Sequence, residues 1–235
     1  MLKGSINQIE TLGLLDGPGV RVVIFLNGCL LRCKYCHNPE MWTIKEKNYT
    51  VQELVKKILR YKPYFSSSGG VTFSGGEPLL QSAFLLEVIK ELKLENIHIA
   101  IDTSGVSDKL SEELLKLVDL VIFDVKHIND NDYKKLTGLD IKSSLEFIEL
   151  CNKLKKKMWV RQVIIPDVND NKEYIKKLHE FIKKIKTVEK VEFLPYHKLG
   201  IEKYKKLGLV DPYHDKDAMS KTKCNKLYED FIKMK

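Results

Sequence analysis

Arginine is scarce in this chain: Arg21, Arg32 and Arg60 precede Arg161, and the rest of its 40 basic residues are lysines. Against 32 acidic residues they leave a net charge of +8, but the excess sits in runs such as Lys153-Leu154-Lys155-Lys156-Lys157 and Lys183-Lys184-Ile185-Lys186. Such runs read as solvated helix faces. A nucleic-acid partner is not expected, because the interleaved arginine and aromatic stripe that grips phosphates is missing. Long apolar runs are missing too: nothing approaches the roughly 20 residues that span a bilayer, and no basic-then-apolar leader opens the sequence. No membrane partner is therefore expected, and a cytoplasmic location is. Cysteine is sparse, five in all, with three of them inside eight residues. That distribution fits a reducing compartment better than a disulfide framework. Hydrophobic residues make up 43% of the chain, enough for a sizeable core and too many for disorder. A single domain over 1–235 is expected, since α/β barrels of about 200–250 residues form one unit.

The clustered cysteines lie in Asn27-Gly28-Cys29-Leu30-Leu31-Arg32-Cys33-Lys34-Tyr35-Cys36-His37-Asn38-Pro39, directly after the strand-like run from Val20 to Leu26. C-x3-C-x2-C offers three thiolates on one short loop. Iron–sulfur clusters normally take four, and Cys151 and Cys224 stand alone, so a cubane held here keeps one iron free of protein ligands. An open iron is a place for chemistry. Structural zinc is the competing reading, but such sites are closed by four ligands. His37, adjacent to Cys36, is badly placed to complete that tetrahedron.

With Tyr35 just before its third cysteine, the motif resembles the signature of radical S-adenosylmethionine enzymes. The longer string DGPGVRVVIFLNGCLLRCKYCHNPEMW, Asp16 to Trp42, resembles the activases of glycyl radical enzymes, those of pyruvate formate-lyase most closely. The resemblance implies a 4Fe-4S cluster on Cys29, Cys33 and Cys36, with the open iron chelated by S-adenosylmethionine. It further implies a glycyl radical enzyme as partner, flavodoxin or ferredoxin as reductant, and a monomer. The absence of cysteine from 37 to 74 favours the compact pyruvate formate-lyase type over activases of other glycyl radical enzymes with inserted ferredoxin-like domains. A small-molecule radical enzyme such as a carboxy-deazaguanine synthase is a further alternative, against which the DGPG loop and Leu194-Pro195-Tyr196-His197 argue.

Along the chain, residues 3–10 read as a leading strand and Leu14-Leu15-Asp16-Gly17-Pro18-Gly19 as turn chemistry. An ordinary turn explains that loop; the resemblance implies instead that it borders the substrate opening, with Asp16 reaching the bound polypeptide. Strands are expected at 20–26, 71–73, 97–101, 118–125, 158–165 and 190–194, and helices at 50–61, 80–93, 108–117, 143–156, 171–186 and 216–233. Six β-α units of this kind predict a parallel sheet with helices outside. The fold class is α/β, an open (β/α)6 partial TIM barrel, two units short of closure.

Reactive groups in such folds sit at the C-terminal ends of strands. The second strand ends in Ser74-Gly75-Gly76-Glu77-Pro78, where two glycines leave backbone open to close approach of a ligand. Its position about 40 residues after the cysteines resembles the family's GGEP motif, and implies cofactor binding by Gly75, Gly76 and Glu77. The next strand ends give Asp102-Thr103, Asp124-Val125-Lys126, Arg161 and His197. Charges there are costly unless paired or bound; a salt-bridge network is one account, with Asp124 and Lys126 on one strand face. By resemblance, Tyr35, Cys36, His37, Asp124, Val125, Lys126, Arg161 and His197 surround S-adenosylmethionine. Asp102, Thr103 and Asp124 resemble a monovalent-cation site, a setting that oxygen ligands suit.

Overall fold

The computed structural model describes residues 2–234. The chain opens with β1 (Lys3–Gly4), β2 (Ile6–Gly13), β3 (Arg21–Leu26), β4 (Tyr49–Thr50) and α1 (Val51–Leu59). There follow β5 (Gly70–Gly75), α2 (Ser82–Leu94), β6 (His98–Thr103), α3 (Glu112–Leu117), β7 (Leu120–Val125), α4 (Asp130–Thr137) and α5 (Lys142–Lys153). The chain closes with β8 (Lys157–Ile164), α6 (Lys172–Ile182), β9 (Val188–Pro195), α7 (Ile201–Lys206) and α8 (Lys221–Ile232). One sheet takes the order β2-β3-β5-β6-β7-β8-β9, while β1 pairs only with β4. From β3 to β9 neighbours run parallel, and β2 lies antiparallel on β3. The six parallel units of the expected (β/α)6 partial barrel are present. To them the leading strand adds an antiparallel edge, broken at Ser5 and extending to Gly13.

Strands β3, β5 and β7 are buried along almost their whole length, as apolar β-branched strands covered on both faces should be. β9 forms the opposite edge and is only partly covered. In a flat sheet the four spacings from β3 to β8 would separate them by roughly 19 Å. Yet Arg161 on β8 lies 3.1 Å from Asp16 on the connection between β2 and β3. The sheet therefore curls around an interior. Low in that interior Ala100, Leu120 and Ile122 pack with Trp159; two residues further along the same strands come Asp102, Asp124 and Arg161. Alternation along each strand sets this apolar floor beneath a charged rim. A single larger cluster, from Ile6 to Phe231, fills the space between sheet and helices.

The anticipated helices appear as α1, α2, α3, α5, α6 and α8, with ends moved by local capping. Ser111 accepts from Leu114 N–H and starts α3 at Glu112, and Ser220 accepts from Lys223 N–H and starts α8 at Lys221. Two helices had no sequence expectation. In α4 only Tyr133, Leu136 and Thr137 are buried, too few for a periodic signal; Asn129 caps its start and Gly138, at φ 88°, its end. α7 is one short Lys-rich turn and a half around buried Tyr204. Among the described residues no helix is long and apolar enough to cross a membrane.

The first turn of α1 is held by a reciprocal capping box. Thr50 Oγ1 accepts from Glu53 N–H at 3.2 Å and Glu53 Oε2 accepts from Thr50 N–H at 2.8 Å. Thr50→Ala is expected to lower the unfolding free energy by about 1 kcal/mol, read as a lower urea midpoint with unchanged slope. A midpoint equal to the parent's would show that α1 is held by packing alone.

Candidate active site

The cysteine loop leaves the C-terminal end of β3 and is tied at both ends. Gly28 N–H donates to Met41 O at 2.7 Å and Cys29 N–H to Trp42 O at 3.0 Å, closing the loop on itself. At its far side Arg32 and Lys34 N–H donate to Thr137 O and Leu136 O, the free carbonyls at the end of α4. The helix without a sequence signal is thus a support for the loop. All five cysteines are free thiols. Cys29, Cys33 and Cys36 line one cleft of ≈ 370 Å³, whereas Cys151 and Cys224 are buried in α5 and α8 away from it. Burial pushes the Cys29 thiol up to about 12, helped by Glu77; it raises Cys33 and Cys36 as well. Ligation requires thiolates, so loading iron here must expel protons. Among the described residues no three of His, Cys, Asp and Glu converge on a single ion. The three thiols border a volume, which suits a cluster better than one zinc ion.

Opposite the cysteines the cleft is charged. Asp16, Asp102 and Asp124 line it together with Lys126, Tyr35, His37, Gly75, Gly76 and Thr103. Lys126 Nζ lies 2.5 Å from Asp124 Oδ2, the strand-face pair read from the sequence. Burial alone would lower Lys126, but Asp124, Tyr35 and Cys33 outweigh it and hold the ammonium well above its ordinary value. Asp124 Oδ1 is buried without a hydrogen-bond partner among the described residues. A buried carboxylate oxygen of that kind is expensive unless something donates to it. Burial pushes Asp102 up to about 6, against the pull of Arg161 and with the push of Asp124 and Asp16. Three carboxylates against Lys126 and Arg161 leave room for added positive charge. A sulfonium with its ammonium group fits that donor set.

Several anticipated ligands are placed otherwise. Glu77 is 1% exposed and does not line the cleft. Its carboxylate accepts from Thr103 Oγ1 (2.5 Å), Ser104 Oγ (2.7 Å), Ser104 N–H (3.0 Å) and Leu79 N–H (3.2 Å), while its own N–H donates to Gly28 O at 2.7 Å, so Glu77 braces the cysteine loop. Burial raises this carboxyl above its ordinary value while the four donors pull it down. The same contact commits the Thr103 hydroxyl, leaving Asp102 and Asp124 as the cleft-facing oxygens of the cation trio. Val125 has its side chain in the core. Gly76 lines the cleft, but a Cβ there would stand 2.2 Å from Gly28 O and 2.9 Å from Met41 O. Its bareness serves first to let the strand end pack on the cysteine loop.

Arg161 is a hub behind the cleft wall. Nη1 meets Asp16 at 3.1 Å and Asp102 at 3.5 Å, Nε meets Glu192 at 3.0 Å, and Nη2 donates to Leu15 O. The DGPG loop is further held by Thr72 Oγ1 donating to Asp16 O (2.5 Å) and Arg21 Nη1 to Pro18 O (2.9 Å). It is a latched strap across the interior. His197 also stands outside the cleft, stacked on His37 with centroids 3.7 Å apart at 7°, while His37 Nε2 meets His197 O at 2.8 Å. Burial lowers both imidazoles, favouring a neutral stack. Glu192, Ser104, Lys203 and Tyr204 had no sequence reading: Ser104 stands in a visible strand-end DTSG, but the others lie where only Lys-rich helix and edge-strand patterns show.

A cleft of this make, at the strand ends of a parallel sheet, defines a class, and a profile of the Radical SAM superfamily matches residues 23–182. The chain belongs to that superfamily, whose cofactors are a 4Fe-4S cluster and S-adenosylmethionine. Two relatives narrow this further. The pyruvate formate-lyase-activating enzyme of Clostridium pasteurianum is 50% identical over 235 residues, 99% of this chain and 98% of that protein. Its counterpart in Staphylococcus epidermidis is 48% identical over 223 residues, 91% and 88%. The chain belongs to the family of pyruvate formate-lyase-activating enzymes. The fold is shared with Streptococcus suis SuiB bound to S-adenosylmethionine, at TM-score 0.64 and 17% identity over 87% of this chain and 45% of that one. It is also shared with a domain of pyruvate-formate lyase-activating enzyme from Bacteroides vulgatus, at 0.55 and 24% over 69% and 94%.

Two outcomes follow from this geometry. Gly76→Ala should lose iron loading and S-adenosylmethionine binding together, because the added methyl strikes the backbone that carries Cys29; iron assay and equilibrium dialysis on one preparation read both. Loss of cofactor binding with full iron would return the glycine to a purely cofactor role. The second concerns pH. A carboxyl raised to about 6 in the folded chain, from an ordinary 3.8, contributes most below pH 3.8 and loses that contribution as pH rises through 6. Asp102→Asn should therefore gain melting temperature relative to the parent between about pH 4 and pH 7; a constant difference would mean that Arg161 cancels the burial of Asp102.

Proposed function

We propose that this chain activates pyruvate formate-lyase by generating a glycyl radical on it. The observation that carries the reading is three free thiols on one self-closed loop, facing across one cleft an unpartnered Asp124 oxygen and an excess of carboxylates. When bound, the cluster and S-adenosylmethionine supply the one-electron chemistry that removes a hydrogen atom from the partner's glycine. Cys29, Cys33 and Cys36 hold the iron. Asp124 and Lys126 orient polar groups of the methionine and ribose, and Arg161 acts on them through Asp102. The backbone of Gly75, Gly76, Glu77 and Val125 forms the strand-end wall for the cofactor, with the N–H groups of Gly76 and Glu77 committed to Leu26 O and Gly28 O, so that carbonyls are what the glycines offer. Tyr35 and His37 supply flat surfaces for the remainder, with His197 stacked on His37 from outside the cleft. Asp102, Thr103 and Asp124 are the proposed monovalent-cation ligands, with Thr103 contributing from its backbone.

Asp16 is the residue assigned to the partner polypeptide. Leu14 and Leu15 on the same strap, and Leu12 near the end of β2, are exposed, an apolar edge suited to an incoming peptide. Binding that peptide trades the Asp16 contact to Arg161 for one to the substrate, so the interaction acts on the reaction more than on cofactor affinity. The reading includes a single domain over 1–235, a cytoplasmic monomer, and flavodoxin or ferredoxin as electron donor.

The test is anaerobic. Chain loaded with iron and sulfide, then mixed with dithionite, S-adenosylmethionine and pyruvate formate-lyase, should give the glycyl radical signal in electron paramagnetic resonance. Cleavage of S-adenosylmethionine without that signal would point to another glycyl radical enzyme or a small substrate. Asp16→Asn should keep iron content and partner-free cleavage but slow radical formation about tenfold or more. Equal loss of both rates would place Asp16 in the cofactor site.

A further inference from the structure

Residues 198–210 had no reading in the sequence, yet they run alongside the second arm of the cysteine loop. His37 Nε2 meets His197 O at 2.8 Å, and a Cβ on Gly200 would stand 3.1 Å from Cys36 O. Lys203 Nζ reaches Asn38 Oδ1 at 2.5 Å and Glu40 Oε1 at 2.6 Å, and the Tyr204 ring meets Trp42 edge-on, 5.8 Å between centroids at 81°. The first arm of the loop is tied by backbone bonds to Ser5, Thr137 and Leu136. Among the described residues no backbone bond joins 35–42 to anything outside the loop. The second arm is therefore placed by side chains, and one of these contacts differs in kind. Lys203–Glu40 is the one ion pair that residues 27–42 make among the described residues. The Lys203 side chain is 40% exposed and that of Glu40 22%, while Glu40 Oε2 is buried with no hydrogen-bond partner among the described residues. A carboxylate half-withdrawn from water in this way depends on the ammonium that reaches it.

We propose that Lys203 is a positioning residue for the iron centre: it clamps the second arm of the loop against α7 and so slows the loss of a cluster held by Cys29, Cys33 and Cys36. The inference rests on the reading that these thiols hold iron. Glu40 lies in the short turn Pro39–Met41, and the carbonyls of Met41 and Trp42 are the acceptors that close the loop on Gly28 and Cys29. Fixing Glu40 thus fixes the closure. Iron enclosed by the loop meets a chelator only when that arm swings out, so its release follows the population of the open form, which the clamp lowers. Lys203 contributes no ligand, so the amount of iron bound at saturation is set elsewhere. Because the pair is partly exposed, its hold weakens as salt screens it.

The experiment loads the full chain, Lys203→Met, Glu40→Gln, the double variant and Lys205→Met with iron and sulfide under anaerobic conditions. It reads iron per chain, the rate at which a chelator strips that iron, and the melting temperature of the iron-free chains. Lys205 lies two residues further along α7 and pairs with exposed Glu202, so Lys205→Met controls for the loss of one positive charge. Equal iron is expected, with release from Lys203→Met about tenfold faster than from the parent. The parent should approach the variant's rate as salt rises from about 0.1 M to 1 M. The double variant should release no faster than Lys203→Met, since both substitutions break one pair. An unchanged release rate in Lys203→Met, a rate matched by Lys205→Met, or a difference that salt leaves untouched overturns the proposal. A lower melting temperature with the parent's release rate also overturns it, and makes Lys203 a contact of the fold alone. Should Lys203→Met take up no iron, Glu40→Gln, which keeps the shape of the turn, decides: release faster than the parent's supports the clamp, and equal release overturns it. A parent chain that takes up no cluster would instead contradict the proposed function itself.

Discussion

The guanidinium of Arg161 is the constraint on which this architecture turns. It projects from β8 into the interior of the curled sheet and meets Asp16 from the β2–β3 strap, Asp102 from β6 and Glu192 from β9. A buried charge of this sort is held only by being surrounded with partners, and removing one partner costs far more than the pair contributes. Burial by itself would lower Arg161, but Asp102, Glu192 and Asp16 together hold it above its ordinary value. The carboxylates in turn are held by this cation, with Lys190 on Glu192 and Ser74 on Asp102 as further partners. Strand curvature, strap position and cleft charge are therefore one arrangement.

Lys126 does the same for the other side of the cleft on a smaller scale. It neutralises one oxygen of Asp124 and leaves the second buried and, among the described residues, unpartnered. Glu77 shows the opposite solution: all its acceptor capacity is taken by Thr103, Ser104 and Leu79, which makes it a strut between the second and third parallel strand ends. Glu77 stands two residues beyond β5, whereas Asp124 lies within β7. One is built to hold the scaffold, and the other is left ready to accept.

Much of this was legible in the residues. The strands from Val20 to Leu26 and from Leu120 to Val125 announce themselves by unbroken apolar β-branched and aromatic character, and the three cysteines by spacing. Less visible were features whose signal is spread over tertiary contacts. α4 presents its carbonyl end to the cysteine loop, a function of backbone that needs no apolar periodicity. The edge strand β2 reads as a loose alternation, and its antiparallel sense has no local signature. Gly76 looks like any strand-end glycine until the backbone of Gly28 is seen 2.2 Å from where its methyl would be. Tyr204 and Lys203 sit in a run indistinguishable by composition from the solvated lysine helices elsewhere.

The two backbone bonds that join Gly28 to Met41 and Cys29 to Trp42 close the cysteine segment into an Ω-shaped unit, braced on its far side by α4, so that its form does not depend on the residues that immediately follow Trp42. Immediately beyond it Thr43–Lys47 is exposed. Length added there would incur only the slow logarithmic growth of loop-closure entropy, with the thiols unmoved. The junction between Trp42 and Tyr49 is thus an insertion point, where a whole additional module can be accepted without redesigning the centre beside it.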